Sequence, residues 1–173
     1  MNQYSDFAFV YDELMNEVDY DNWVKYIEDI IKSENVEVQN ILELACGTGN
    51  LTIPLTKKNY DIAAIDISEE MLQVAREKAE KENVELVLLE QDIVELDFDV
   101  PNLDCILCGC DGFNYITYDE DLEGVFVKCH ELLKENGIFI FDISSYYKLS
   151  TVLGNNMYGE NRENVAYMWQ NYF

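Results

Sequence analysis

A chain of 173 residues suits one domain built around a single core. With 49% apolar and 13% aromatic residues it is too hydrophobic for a disordered segment. Its 35 acidic against 11 basic residues give a formal charge of −24, which argues against nucleic acid as a partner, because phosphate neutralisation needs clustered Lys and Arg and no such cluster occurs.

The first residues, "MNQYSDFAFVYDELMN", carry neither a basic start nor a long apolar run, so no leader peptide is expected. No stretch approaches the ~18 apolar residues of a membrane span. Five cysteines, Cys46, Cys105, Cys108, Cys110 and Cys129, form no disulfide framework, and the expected setting is a reducing cytoplasm.

Two helices open the chain. Phe7, Val10, Tyr11, Leu14 and Met15 recur at three- and four-residue spacing, as do Trp23, Tyr26, Ile27, Ile30 and Ile31. The period then changes. The runs 40–46, 60–66, 84–90, 103–109 and 137–143 are short and rich in Ile, Leu, Val and Phe, as expected of strands buried on both faces of a parallel sheet. Between them lie helical patterns. Ser68 is placed to cap a helix whose first turn holds Glu69 and Glu70 and whose apolar face is Met71, Leu72, Ala75 and Ala79. Leu122, Val125, Phe126, Cys129, Leu132 and Leu133 mark another, with Gly137 expected as its left-handed cap. Alternating strands and helices predict right-handed crossovers and a doubly wound α/β sheet.

The tail departs from this pattern. Val165, Tyr167 and Trp169 alternate as on one face of a strand, with no later strand to pair with, so this strand is expected to need a sheet to join, in this chain or in another. The unpaired C-terminal strand is thus a route to an oligomer.

The residues that carry chemistry follow the first strand. "ILELACGTGNLT" (41–52) delivers the chain to a glycine turn, where Gly47 and Gly49 permit backbone angles closed to other residues and leave room for a ligand. Asp66 ends the second strand seventeen residues after Gly49, where a carboxylate can accept from both hydroxyls of a ribose. The third glycine of the dinucleotide fingerprint is replaced by Thr52, which disfavours NAD.

"LELACGTGNLT" resembles motif I of the class I methyltransferases that use S-adenosylmethionine, and the likeness continues through "AIDISEEML" (64–72), "EQDI" (90–93), "CDGFNYI" (110–116) and "LLKENGIFIFDISSYYKL" (132–149). "FAFVYDELM" and "DYDNWVKYI" resemble the bacterial small-molecule branch of the same family. The resemblance implies a Rossmann-like sheet with a helical lid over 1–35, an α/β core over 36–145 and the start of a substrate-covering insert over 146–173. It also implies roles. Ala45, Gly47 and Gly49 line the methionine portion of the cofactor, with Glu43 beneath the turn. Asp66 takes the ribose, while Ile67 and Met71 lie against the adenine. Asp92 accepts from the adenine amino group, beside Ile93. Cys108 and Gly109 carry carbonyls toward the ammonium end, and Tyr11 is a lid. Ala45 stands where the family commonly has a glycine. Asp111, Asn114 and Tyr115 are the candidates near the transferred methyl, and Tyr146 and Tyr147 the candidates for an acceptor pocket.

The implied activity is methyl transfer to a small-molecule acceptor, without nucleic acid or membrane as partner. Two rival readings make other predictions: a domain that binds the cofactor without turnover, and a nicotinamide-dependent oxidoreductase. A thiolate metal site at Cys105, Cys108 and Cys110 is disfavoured because the first two fall on opposite faces of a strand. His130 is expected on the surface, and the acidic run 97–99 in a solvated loop.

Overall fold

In the computed structural model, which describes residues 7–162 and 165–173, five parallel strands form one sheet in the order β3-β2-β1-β4-β5. The strands are β1 (Asn40–Leu44), β2 (Asp61–Asp66), β3 (Val87–Glu90), β4 (Leu103–Cys108) and β5 (Leu133–Phe141). The chain moves outward from β1 in one direction to β2 and β3, and in the other to β4 and β5. The strand order therefore reverses between β1 and β4, which opens a crevice at their carboxyl ends.

The two faces of the sheet follow from strand alternation. Ile41 of β1 and Cys105 and Leu107 of β4 pack beneath the helices α2 (Tyr20–Ser33), α3 (Thr52–Lys57) and α4 (Glu69–Glu82). Leu42 and Leu44 of β1 and Ile106 and Cys108 of β4 pack on the opposite face, against α5 (Asp119–Leu132). Cys105 and Cys108 accordingly belong to different layers, and both are buried thiols. The expected apolar face of α4, Met71, Leu72, Ala75 and Ala79, is buried throughout. Ser68 caps that helix through an acceptance from the Met71 N–H at 3.3 Å. His130 is exposed.

The end of α5 corrects the expectation for Gly137. The left-handed residue there is Asn136 (φ 67°), and β5 begins four residues before Gly137. Gly137 is demanded by space instead: a Cβ would sit 3.0 Å from the carbonyl oxygens of Leu103 and Lys134, where the β4–β5 register shifts.

In the tail the in-chain alternative holds, and the last strand is not unpaired. β7 (Ala166–Gln170) is paired within the chain, antiparallel to β6 (Met157–Asn161), a strand whose Gly159, Glu160 and Asn161 gave it no apolar signature. Arg162, just after β6, reaches the short N-terminal helix α1 (Ala8–Leu14) by donating to the Glu13 carbonyl and to Asn16 Oδ1. Among the described residues no helix is long and apolar enough to cross a membrane.

Candidate functional site

Three residues of the glycine turn adopt left-handed angles in alternation: Ala45 (φ 53°), Gly47 (φ 55°) and Gly49 (φ 75°). Each has its own reason. A Cβ at Gly47 would meet nothing within 4 Å, because the turn there borders open space. One at Gly49 would come within 3.3 Å of the Ala75 Cβ, so this glycine lets α4 pack beneath the turn. Ala45 holds a conformation that is costly for a residue with a side chain.

The turn is tied to the tip of β2. Asp66 Oδ2 accepts from the Gly47 N–H at 2.7 Å and Oδ1 from the Ser68 N–H at 2.9 Å. Burial raises its carboxyl above the ordinary value although these backbone donors oppose it. Glu43, on β1 below the turn, is only 2% exposed, and its Oε2 has no hydrogen-bond partner. Burial pushes Glu43 up to about 8, opposed by the Thr52 hydroxyl of its own chain and reinforced by the nearby Asp66 carboxylate. A buried carboxyl with an idle oxygen is costly unless a donor arrives from outside the chain.

A second turn, after β4, closes the other side. Cys110 (φ 57°) and Asp111 (φ 64°) are consecutive left-handed residues. A Cβ at Gly109 would strike Leu51 at 2.5 Å, and one at Gly112 would meet the Cys108 Sγ at 2.6 Å and the Ala45 Cβ at 3.1 Å. These two glycines let the turns of β1 and β4 approach each other.

Helix α1 is latched across this crevice. Asp12 Oδ1 accepts from the Thr48 hydroxyl at 2.6 Å and from Asn50 Nδ2 at 3.0 Å, while Lys78 of α4 sits 2.7 Å from Oδ2. The latch brings Tyr11 over the turn, and burial raises the hydroxyls of Tyr11 and of Tyr20, which opens α2.

The result is a cavity of about 270 Å³. Of the residues expected to hold a cofactor, Tyr11, Glu43, Ala45, Gly47, Asp66, Ile67, Met71, Asp92 and Ile93 line it. Gly49 and Cys108 do not: Gly49 packs on α4, and Cys108 is buried against α5, leaving Gly109 as the lining residue. Tyr115 is on the wall, but Asp111 and Asn114 are not among the lining residues. Asp111 Oδ2 accepts from the Ser144 hydroxyl at 2.9 Å and pairs with Lys148 at 3.2 Å, while Asn114 Oδ1 accepts from the Ser144 N–H at 2.9 Å. Both side chains thereby brace the loop after β5. Asp142 accepts from the Asp111 N–H at 3.1 Å, and burial together with the Asp111 carboxylate raises its carboxyl. Tyr146 and Tyr147 are exposed and do not line the cavity.

Sequence reasoning missed Tyr20, Thr48, Asn50 and Cys110 as lining residues. Tyr20 was concealed at the start of a helix, and Cys110 reads as one more strand cysteine until its left-handed angle turns it toward the cavity. Thr48 and Asn50 stand in the glycine motif itself, which was the signal available for them.

Comparison with known proteins gives a concordant picture. A family model described as a methyltransferase domain matches residues 41–137. A protein named as a methyltransferase in Geobacillus sp. (strain WCH70) is 34% identical over 170 residues, covering 98% of this chain and 68% of the relative. The protein YqeM of Bacillus subtilis (strain 168), also named as a methyltransferase, is 35% identical, with 98% and 66% covered. The crystal structure of an S-adenosylmethionine-dependent methyltransferase from Clostridium acetobutylicum superposes with a TM-score of 0.85 at 42% identity, over 99% of this chain and 70% of that one. The chain thus spans about two thirds of the length of the curated relatives it matches.

Proposed function

Because this chain belongs to the class I S-adenosylmethionine-dependent methyltransferases, we propose that it transfers a methyl group from S-adenosylmethionine to a small-molecule acceptor, with the cavity at the carboxyl ends of β1, β2 and β4 as the cofactor site. The observation that carries the assignment is the pair of buried carboxylates, Glu43 and Asp66, set on either side of the left-handed glycine turn.

The donor set fits this cofactor. Glu43, Asp66 and Asp92 supply acceptors, and the described lining residues include no Lys, Arg or His. Such a lining suits a ligand that brings hydroxyls, an ammonium and a sulfonium. It is unfavourable to the two negative charges of a nicotinamide dinucleotide, which supports the methyltransferase over the oxidoreductase. When bound, S-adenosylmethionine supplies an electrophilic methyl group on sulfur.

The chain's own residues bind and align. Asp66 keeps lone pairs for ribose hydroxyls while the Gly47 and Ser68 N–H groups hold it in place. Glu43 offers its idle oxygen to an ammonium donor, which would return it to the charged form. Ile67 and Met71 supply an apolar surface for a base, and Asp92, whose Oδ1 accepts from the Val94 N–H at 2.9 Å, is fixed to accept from an exocyclic amine. Tyr11, held by the Asp12 latch, excludes water from above. Asp111 and Asn114 brace the loop after β5 through Ser144. The five free cysteines support a reducing, cytoplasmic setting.

Calorimetric titration of the purified protein with S-adenosylmethionine, with S-adenosylhomocysteine and NAD in parallel, tests the assignment. Binding of the first two is expected, weakened by Asp66→Ala. Binding of NAD alone, or binding indifferent to Asp66→Ala in a folded variant, would overturn it.

A further inference from the structure

After the cofactor residues are assigned, the cavity still has a wall that the cofactor reading does not use, formed by Tyr20, Tyr115 and Cys110 beside the lid residue Tyr11. Tyr20, Cys110 and Tyr115 are all within electrostatic reach of Tyr11, and Cys110 is within reach of Tyr20. Tyr115 is 60% exposed, which places this wall at the mouth where a second ligand would enter. Resting on the methyl-transfer reading, we propose that the acceptor is an amine, recognised as its ammonium form by the tyrosine faces and methylated through its own nitrogen lone pair.

Three classes of acceptor make different demands on such a wall. A carboxylate or phosphate acceptor needs a cation, and no Lys, Arg or His is among the described lining residues. The nearby ammonium groups of Lys78 and Lys148 are already paired with Asp12 and Asp111. The charge of −24 repels an anion further. An alcohol acceptor needs a base to remove its proton. Three titratable groups of the wall, Tyr11, Tyr20 and Cys110, are poor bases, since burial raises both tyrosines and pushes Cys110 up to about 12.

An amine needs neither. Its ammonium form is attracted to electron-rich aromatic faces. On losing one proton to water at the cavity mouth it presents a nucleophilic pair without help from the protein. The nitrogen pair then forms the new bond to the methyl carbon as the carbon–sulfur bond breaks. Sulfur keeps the bonding electrons and becomes a neutral thioether, and the positive charge passes to the N-methylated ammonium product. Charge balances without oxidant or reductant.

The test supplies the purified protein and S-adenosylmethionine tritiated on the methyl group to three fractions of a bacterial metabolite extract: retained on a cation exchanger, retained on an anion exchanger, and unretained. Label entering a compound of the cationic fraction is the expected result. Label entering only the anionic or neutral fraction would overturn the amine assignment while leaving methyl transfer intact. No label in any fraction, from protein that binds the cofactor by calorimetry, would overturn the small-molecule reading and the inference with it. With the labelled amine in hand, Tyr115→Leu should raise its KM about tenfold, and Tyr115→Phe, which keeps the aromatic face, should restore it. Equal loss in both variants would remove the tyrosine face from the recognition.

Discussion

The two ends of the sheet treat buried carboxylates in opposite ways. At the amino ends, Asp104 of β4 is 7% exposed and fully engaged: it accepts from the Gln39 and Asn40 N–H groups, both at 2.8 Å, and pairs with Lys134 at 2.5 Å. Burial alone would raise its carboxyl, but these donors win and hold it at about 2. At the carboxyl ends, Glu43 is as buried and has an oxygen with no partner, and it rises to about 8. The difference separates stability from function. A carboxylate satisfied by its own chain locks strands together, whereas one left unsatisfied is a standing cost that a ligand can relieve.

The sharpest way to break this contrast is Asp104→Ala. Removing the acceptor leaves two backbone donors unpaired and takes the carboxylate partner from Lys134, which keeps only the Glu37 carbonyl, so the urea midpoint should fall by the equivalent of about 3 kcal/mol with little change in cofactor affinity per folded molecule. An unchanged midpoint would mean that Asp104 does not lock the strands together.

Glu43→Gln should act in the reverse sense. Stability above neutral pH should rise by about 1–2 kcal/mol as the buried charge disappears, while S-adenosylmethionine affinity falls. The pH profiles of the two sites oppose each other as well. Glu43 has a raised folded value, so its contribution is fully present below its ordinary 4.5 and is lost as pH rises toward about 8. Asp104 has a depressed one, so its contribution is present above its ordinary 3.8 and is lost as pH falls through about 2. Denaturant titrations across pH should show both limbs, the first abolished by Glu43→Gln and the second by Asp104→Ala.

A smaller effect should follow from Asp12→Ala. Losing the bonds to Thr48, Asn50 and Lys78 should let α1 open about fivefold more often, read by hydrogen exchange of its amides, with faster cofactor release. The least is expected of Ala45→Gly: relief of the left-handed alanine, offset by chain entropy, should stabilise the protein by about 0.5 kcal/mol in thermal unfolding.

Much of this architecture was legible in the chain. Continuous apolar runs announced five strands, and the changes of period located the helices between them; the expected burial on both faces holds for the inner strands β1, β2 and β4 but not for β3 and β5, which lie at the sheet edges and stay partly or largely exposed. Ten of the twelve residues expected around the cofactor line one cavity, because the glycine turn and the acid ending β2 are local features whose spacing is set by one crossover. What escaped depended on contacts between distant segments. The contacts of Asp111 and Asn114 with Ser144 and Lys148, some thirty residues later, left no local signal. The partner of β7 escaped because β6 has no apolar alternation, its pairing resting on backbone hydrogen bonds that leave no pattern.

The sequence by itself determined the order of elements, the parallel sheet and the place of the ligand turn, since periodicity, capping and glycine angles act over a few residues. Only the tertiary structure decided which carboxylate is satisfied and which is left waiting. Asp104 and Glu43 are both acids within short apolar runs, and nothing within a few residues of either distinguishes them. What does is Lys134 and the start of β1 meeting Asp104 at one end of the sheet, and an open cavity meeting Glu43 at the other.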